Sequence, residues 1–270
     1  MDYLPKFGWG PLTPRGVAVF ARAKLGRLFL VQFLVALLVA AAVAWLLSDA
    51  FFPTIRTAID RLPEAGEIRG SRLQWSGASP VLLAEGRCLA LSVDLNFSGE
   101  VRSPAHLQLE FGRENVSARS LFGYAEVKYP AGWIIAFNRT ELIPKWGAWK
   151  APLLAVAVGG VVVYLLACWS LLATLCAGPV WLLAFFANRE LTLRGSWKLA
   201  GAALMPGALF VAAGVLLYDS GVVDLVGLAF VVGAHLVLDG VYLIASPFFL
   251  PRLAATEAAR KNPFSAAKNP

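Results

Sequence analysis

The fold class predicted for this chain of 270 residues is a four-helix membrane protein with a β-rich domain inserted between helices one and two. Three features predict it. Apolar residues make up 58% of the chain and charged ones only 15%, too apolar a balance for a soluble domain. The excess gathers into four runs, about Leu28–Leu47, Ala151–Cys176, Leu199–Leu217 and Val222–Ala245. Each is close to the roughly 20 helical residues that cross ~30 Å of hydrocarbon. Between the first two runs the apolar residues alternate with polar ones at period two, the mark of strands.

Residues 1–27 form a basic lead. Pro5, Pro11 and Pro14 make its start irregular, and from Arg15 "RGVAVFARAKLGRLF" reads as an amphipathic segment. Two readings stay open there: a helix lying at the headgroups, or a plain extension of the first span. In the first span, 28–47, "AVA" at Ala42–Ala44 resembles a small-residue cleavage site. The long polar lead and the continuation through Trp45, Leu46 and Leu47 favour an uncleaved helix.

Residues 48–150 are expected to form a compact domain. "PTIRTAIDRLP" is a short helix between Pro53 and Pro63, followed by alternating "EIRGSRLQW", "RCLALSVDLNF", "HLQLEFG" and "YAEVKYP". In "HLQLEF", Leu107, Leu109 and Phe111 face a core while His106, Gln108 and Glu110 face the other way, with "GREN" as the turn beyond. Residues 151–250 hold the other three spans. The apolar stretch Ala151–Ala187 would extend about 56 Å as one helix, so Gly178 and Pro179 are expected to break it. That leaves an interfacial segment near 178–187 with Trp181, Phe185 and Phe186. Ser196 is a candidate N-cap for the third span, which Met205–Gly207 should kink or loosen. A basic tail, 251–270, closes the chain.

Charge sets the expected orientation. The net charge of +7 concentrates in the lead (Lys6, Arg15, Arg22, Lys24, Arg27), between spans two and three (Arg189, Arg194, Lys198) and in the tail (Arg252, Arg260, Lys261, Lys268). Ser48–Lys150 is nearly neutral, with twelve basic and eleven acidic residues. The positive-inside rule then puts both termini in the cytoplasm and 48–150 outside. The basic balance is thus an orientation signal, and no nucleic-acid partner is expected. Cys88, Cys168 and Cys176 make no disulfide framework and read as small buried hydrophobes.

The order of parts, with "LPEAGEIRGSRLQW" and "LSVDL" between about Leu62 and Asp94, resembles a bacterial domain-of-unknown-function membrane family. Its named relatives include a maltodextrin-utilisation membrane protein. The likeness extends more loosely through Trp149, and "GSWKLAGAALMPG" and "VYLIASP" are faintly similar to Yip-type membrane proteins. The resemblance implies a bacterial inner-membrane location and carries no catalytic residues.

The chemistry is sparse. There is no phosphate-binding glycine loop, zinc-like Cys/His spacing or nucleophile elbow, so neither an enzyme nor a cofactor or metal is expected. His106 reads as a surface histidine, and "NFS", "NVS" and "NRT" at Asn96, Asn115 and Asn138 match the glycosylation pattern without other support. His235 and Asp239, four residues apart near the middle of the fourth span, share a helix face. Ionisable groups there are costly, at least ~2.5 kcal/mol on insertion scales. They read as a local structural pair, as a transport or proton-relay site, or as a contact with another subunit or a bound cofactor. Six aromatics of the 48–150 domain, Trp75, Phe97, Phe122, Tyr124, Tyr129 and Trp133, read as a possible partner surface. The leading expectation is a non-enzymatic accessory or assembly subunit of a membrane complex. The alternative is a small transporter or envelope-homeostasis protein using the His235–Asp239 pair.

Overall fold

The computed structural model describes residues 12–253; the first part of the basic lead and nearly all of the basic tail lie outside the described residues. Four helical stretches, Leu25–Asp60, Arg139–Phe186, Leu193–Asp219 and Leu225–Phe249, are long and apolar enough to cross a membrane. This is compatible with the membrane class, and a separate β-sheet region lies between the first stretch and the later ones. The chain divides into a helical unit (the chain up to Ala42, Val158–Tyr218 and the chain from Val226) and a β-rich unit (Val43–Ala157 with Asp219–Leu225).

In the helical unit, α1 (Pro14–Phe20) starts on Thr13, whose hydroxyl accepts the Gly16 amide at 3.0 Å, with Pro14 where a missing N–H costs nothing. Its Val17, Ala18 and Phe20 are buried, so α1 is a separate short helix packed on the bundle and not a plain extension of the first span. The first span, α2 (Leu25–Leu46), turns through a π-helical loop at Leu47–Phe51 into α3 (Phe52–Asp60). The second, α4 (Arg139–Phe186), is 48 residues long and runs unbroken through Gly178–Pro179. The expected break does not occur there. Proline removes one amide from the ladder, but an apolar environment offers the freed backbone groups no water and favours helix on either side.

The third span is two helices, α5 (Leu193–Ala203) and α6 (Met205–Asp219). Its N-cap is Thr192, which accepts the Gly195 amide at 3.0 Å; the expected cap, Ser196, lies inside the helix, buried, donating back to the Leu193 carbonyl. The helix breaks at Leu204, and Pro206 then falls in the first turn of α6, where proline is tolerated. The fourth span is α7 (Leu225–Ala245), ending in a 3-10 turn at Ser246–Phe249. The third span is the packing centre, with Ala200, Ala202, Ala203, Ala208 and Ala212 all buried. Small side chains let neighbouring helices approach closely enough to gain van der Waals contact where lipid supplies no hydrophobic drive. Buried Gln32 of α2 donates to the Gly201 carbonyl at 3.0 Å, pinning the first span to the third. At one end, Arg22 pairs with Glu190, and Lys198 donates to the Ala23 carbonyl at 2.7 Å.

In the β-rich unit, "EIRGSRLQW" is the hairpin β1 (Gly66–Arg69) and β2 (Arg72–Trp75), and β1 also pairs with β8 (Ile135–Ala136). The larger sheet runs β3 (Val81–Glu85), β4 (Leu89–Val93), β5 (Leu107–Phe111), β6 (Asn115–Ser120) and β7 (Gly123–Lys128), in that order. Its pairs are antiparallel except β4–β5, which the crossover 94–106 makes parallel. Leu89, Leu91 and Val93 lie in line with Leu107, Leu109 and Phe111, and with Ala58 of α3, Leu62, Leu83 and Phe137 they form the core. The expected inward register of "HLQLEF" is present. Its other face departs from expectation: Gln108 and Glu110 are buried under the crossover. Gln108 is fully engaged there, accepting the Ser103 amide and donating to the Val101 carbonyl and Ser92 Oγ.

Candidate functional site

Asp239, 7% exposed, is the buried residue of α7. Its Oδ1 accepts the backbone amide of Gly207 at 3.1 Å. Gly207 is the third residue of α6, so its N–H is one of the unpaired donors of a helix start. The carboxyl thus caps a broken membrane helix from a neighbouring one, at the positive end of the α6 dipole. Glycine gives the carboxyl its room at 207: a Cβ there would stand 2.2 Å from Asp239 Oδ1 and force it to shift.

His235 shares the face but not the bond. Its Nδ1 lies against the Val232 carbonyl one turn back along α7. A carbonyl only accepts, so Nδ1 is the donor in this contact. The structure therefore does not join His235 to Asp239; each is satisfied by a separate backbone group. The "MPG" break announced a kink in the third span, but its freed amide as the partner of Asp239 was not foreseen from spacing.

The six aromatics divide. Phe122, Tyr124 and Trp133 are exposed, 66%, 58% and 66% respectively. Tyr129 is buried, its hydroxyl donating to the Gly112 carbonyl at 2.9 Å, and burial pushes its phenol well above the usual tyrosine range. Trp75 packs edge-on against Phe137 while its Nε1 donates to the Ala78 carbonyl. Phe97 lies over Gly112, where a Cβ would come within 2.2 Å of its ring. These last three build the fold. Sequence reasoning missed the aliphatic neighbours of the exposed three: Leu121, Val127 and Ile134 are each about two-thirds exposed.

The β-rich unit also holds a buried carboxyl. Glu110, on the crossover side of β5, has Arg119 Nη2 of β6 at 3.1 Å from Oε2, but no aligned hydrogen bond to either oxygen among the described residues. Burial raises its carboxyl above the ordinary glutamate range; the charge of Asp94 adds to this and Arg119 opposes it. Burial also acts to raise Asp94, but the Ser98 hydroxyl and the amides of Asn96, Gly99 and Ser98 outweigh it and leave that carboxyl lowered. Arg119 reaches outward as well, 5.7 Å from the Tyr124 ring. An open groove of about 570 Å³, lined by Glu64, Glu67, Gln74, Trp75 and Asn138 among others, lies beside the small sheet. No cluster of three or more metal-ligating side chains occurs among the described residues.

Comparison with protein-family models, curated proteins and solved structures finds no match in any of the three. The class rests on the chain's own features: four helices able to cross a membrane and a β-rich unit between the first and the rest.

Proposed function

We propose that this chain is a non-enzymatic integral membrane protein, an accessory or assembly subunit of a larger complex in a bacterial cytoplasmic membrane. Both termini are cytoplasmic in this reading, and residues 48–150 form an extracytoplasmic recognition surface. The carrying observation is the exposure of Leu121, Phe122, Tyr124, Val127, Trp133 and Ile134 on a unit that has a separate closed core. Leu121 with Phe122 in the β6–β7 turn, and Trp133 with Ile134 before β8, are adjacent exposed apolar side chains of the kind that mark interaction sites. The alternating basic segments support the orientation. Copurification of the tagged full chain in mild detergent tests the role. Partner subunits should be retained by the natural chain and lost on Phe122→Ser combined with Trp133→Ser; retention unchanged by that double substitution refutes the surface.

A second reading, a small transporter, has one observation in its favour: a buried carboxyl at the start of an interrupted span. Transporter sites are often built on broken helices. A stable, fully assembled Asp239→Asn variant that lost a transport activity would favour this alternative over the accessory role.

A further inference from the structure

β7 is the outer strand of the five-stranded sheet, and all six of its residues are exposed. Its free hydrogen-bonding groups follow from strand parity. The Gly112 amide donates to the Asn115 carbonyl and the Tyr129 amide to the Glu114 carbonyl, while Asn115 stands opposite Lys128. Hydrogen-bonded pairs alternate along antiparallel strands, so Gly123, Ala125 and Val127 bond inward to β6. The backbone groups of Tyr124, Glu126 and Lys128 point out.

We propose that a second copy of this chain occupies this edge, the two β7 strands pairing antiparallel about a two-fold axis at Val127. A two-fold axis normal to a continuous sheet keeps each side chain on its own face, so a residue must stand opposite its own counterpart at the centre. Centring on Glu126 would set two glutamates opposite one another. Centring on Ala125 would set Glu126 opposite the partner's Tyr124 and Lys128 opposite the partner's Phe122. Centring on Val127 sets Glu126 opposite the partner's Lys128, and Lys128 opposite the partner's Glu126. Opposite charges across a strand pair stabilise it and like charges destabilise it. Charge therefore selects the Val127 register.

That register also matches the free backbone groups, because it makes Glu126 and Lys128 hydrogen-bonded pairs and leaves Val127 at a non-hydrogen-bonded one. It covers Val127, 65% exposed, on the face that continues Phe111 and Val116 of the core. β7 contains no proline, and its register with β6 runs without a bulge, so two usual guards of a free edge are missing. This inference goes beyond the accessory role and does not depend on it.

Disulfide trapping of the full-length protein in its native membrane tests the register. Across a non-hydrogen-bonded pair the Cα atoms stand about 4.5 Å apart, within disulfide reach of about 4.4–6.8 Å. Val127→Cys should therefore form a covalent dimer on mild oxidation. Ala125→Cys, displaced from its own counterpart by four residues or about 14 Å, should remain at the level of the unsubstituted chain. A second measurement needs no added cysteine: capture of an untagged copy by a tagged one. Glu126→Lys alone or Lys128→Glu alone should lower capture several-fold, and both together should restore it. The proposal is overturned if Val127→Cys stays at background, if Ala125→Cys links equally well, or if Val127→Cys links to a different protein. Capture indifferent to charge reversal also overturns it.

Discussion

A methyl group added at Gly207 would stand 2.2 Å from Asp239 Oδ1, in a bundle whose neighbours are themselves buried. Gly207→Ala should lower stability by about 1–3 kcal/mol, the usual range for overpacking, read as a drop in thermal midpoint in detergent. Asp239→Asn keeps an oxygen acceptor for the Gly207 amide and should be close to neutral. Since His235 bonds the Val232 carbonyl and Asp239 the Gly207 amide, His235→Ala and Asp239→Ala should show little coupling in a double-mutant cycle although they share a helix face. A coupling well above ~0.5 kcal/mol would restore the direct pair. Glu110 supplies a pH test in the β-rich unit. Its folded value is raised, so the folded unit holds the proton more tightly than the unfolded chain. The stability it contributes is complete below the unfolded value of about 4.3 and is lost as pH rises through the folded one. Asp94 has the opposite sign, its contribution present above the unfolded value and lost as pH falls through the lowered folded one. Glu110→Gln should shrink the fall in stability as pH rises from about 4.3 through the folded value; an unchanged pH profile would show that Glu110 is not its source.

At the scale of elements, β4 carries the β-rich unit, since all five of its residues are buried. Leu91, 6% exposed at the middle of β4, stands in register with Leu109 of β5 within the core. Leu91→Asp should unfold this unit, because an unpaired buried charge costs several kcal/mol, while the four helices still insert. Proteolysis of membrane preparations reads both outcomes, and an unchanged digestion pattern would contradict the core assignment. Period-two alternation made β5 legible in the sequence, and "EIRGSRLQW" was legible as strand-forming, because the apolar side of each faces a core. The burial of Gln108 and Glu110 was not legible. Their polarity is that of a solvent face, and only the crossover loop, whose placement depends on distant pairing, reverses it. The unbroken α4 was hidden for a related reason: Pro179 is a breaker in water, and the penalty for leaving the helix is set by the surroundings. Asp239 was recognisable as unusual, but its partner is 32 residues away on another helix and leaves no periodic trace.

For the whole molecule, the proposed orientation places β7 and the first turn of α5 on opposite sides of the bilayer. Tyr124→Cys should react with an impermeant thiol reagent applied from outside, and Arg194→Cys only after permeabilisation, both positions being exposed and the natural cysteines serving as baseline. Reaction of the two in the reverse order would invert the topology. The pairing of β1 with β8 has a separate consequence, one of timing during synthesis. Glu67 and Ile68 meet Ala136 and Ile135, so the small sheet is closed by residues about 70 positions later in the chain. A ribosome adding about 5–20 residues per second needs some 4–14 s to supply them. Through that interval the β1–β2 hairpin, already beyond the first span, waits with one edge unsatisfied. A nascent chain stalled before Ile135 should be more readily cleaved by protease near Gly66 than one stalled past Phe137.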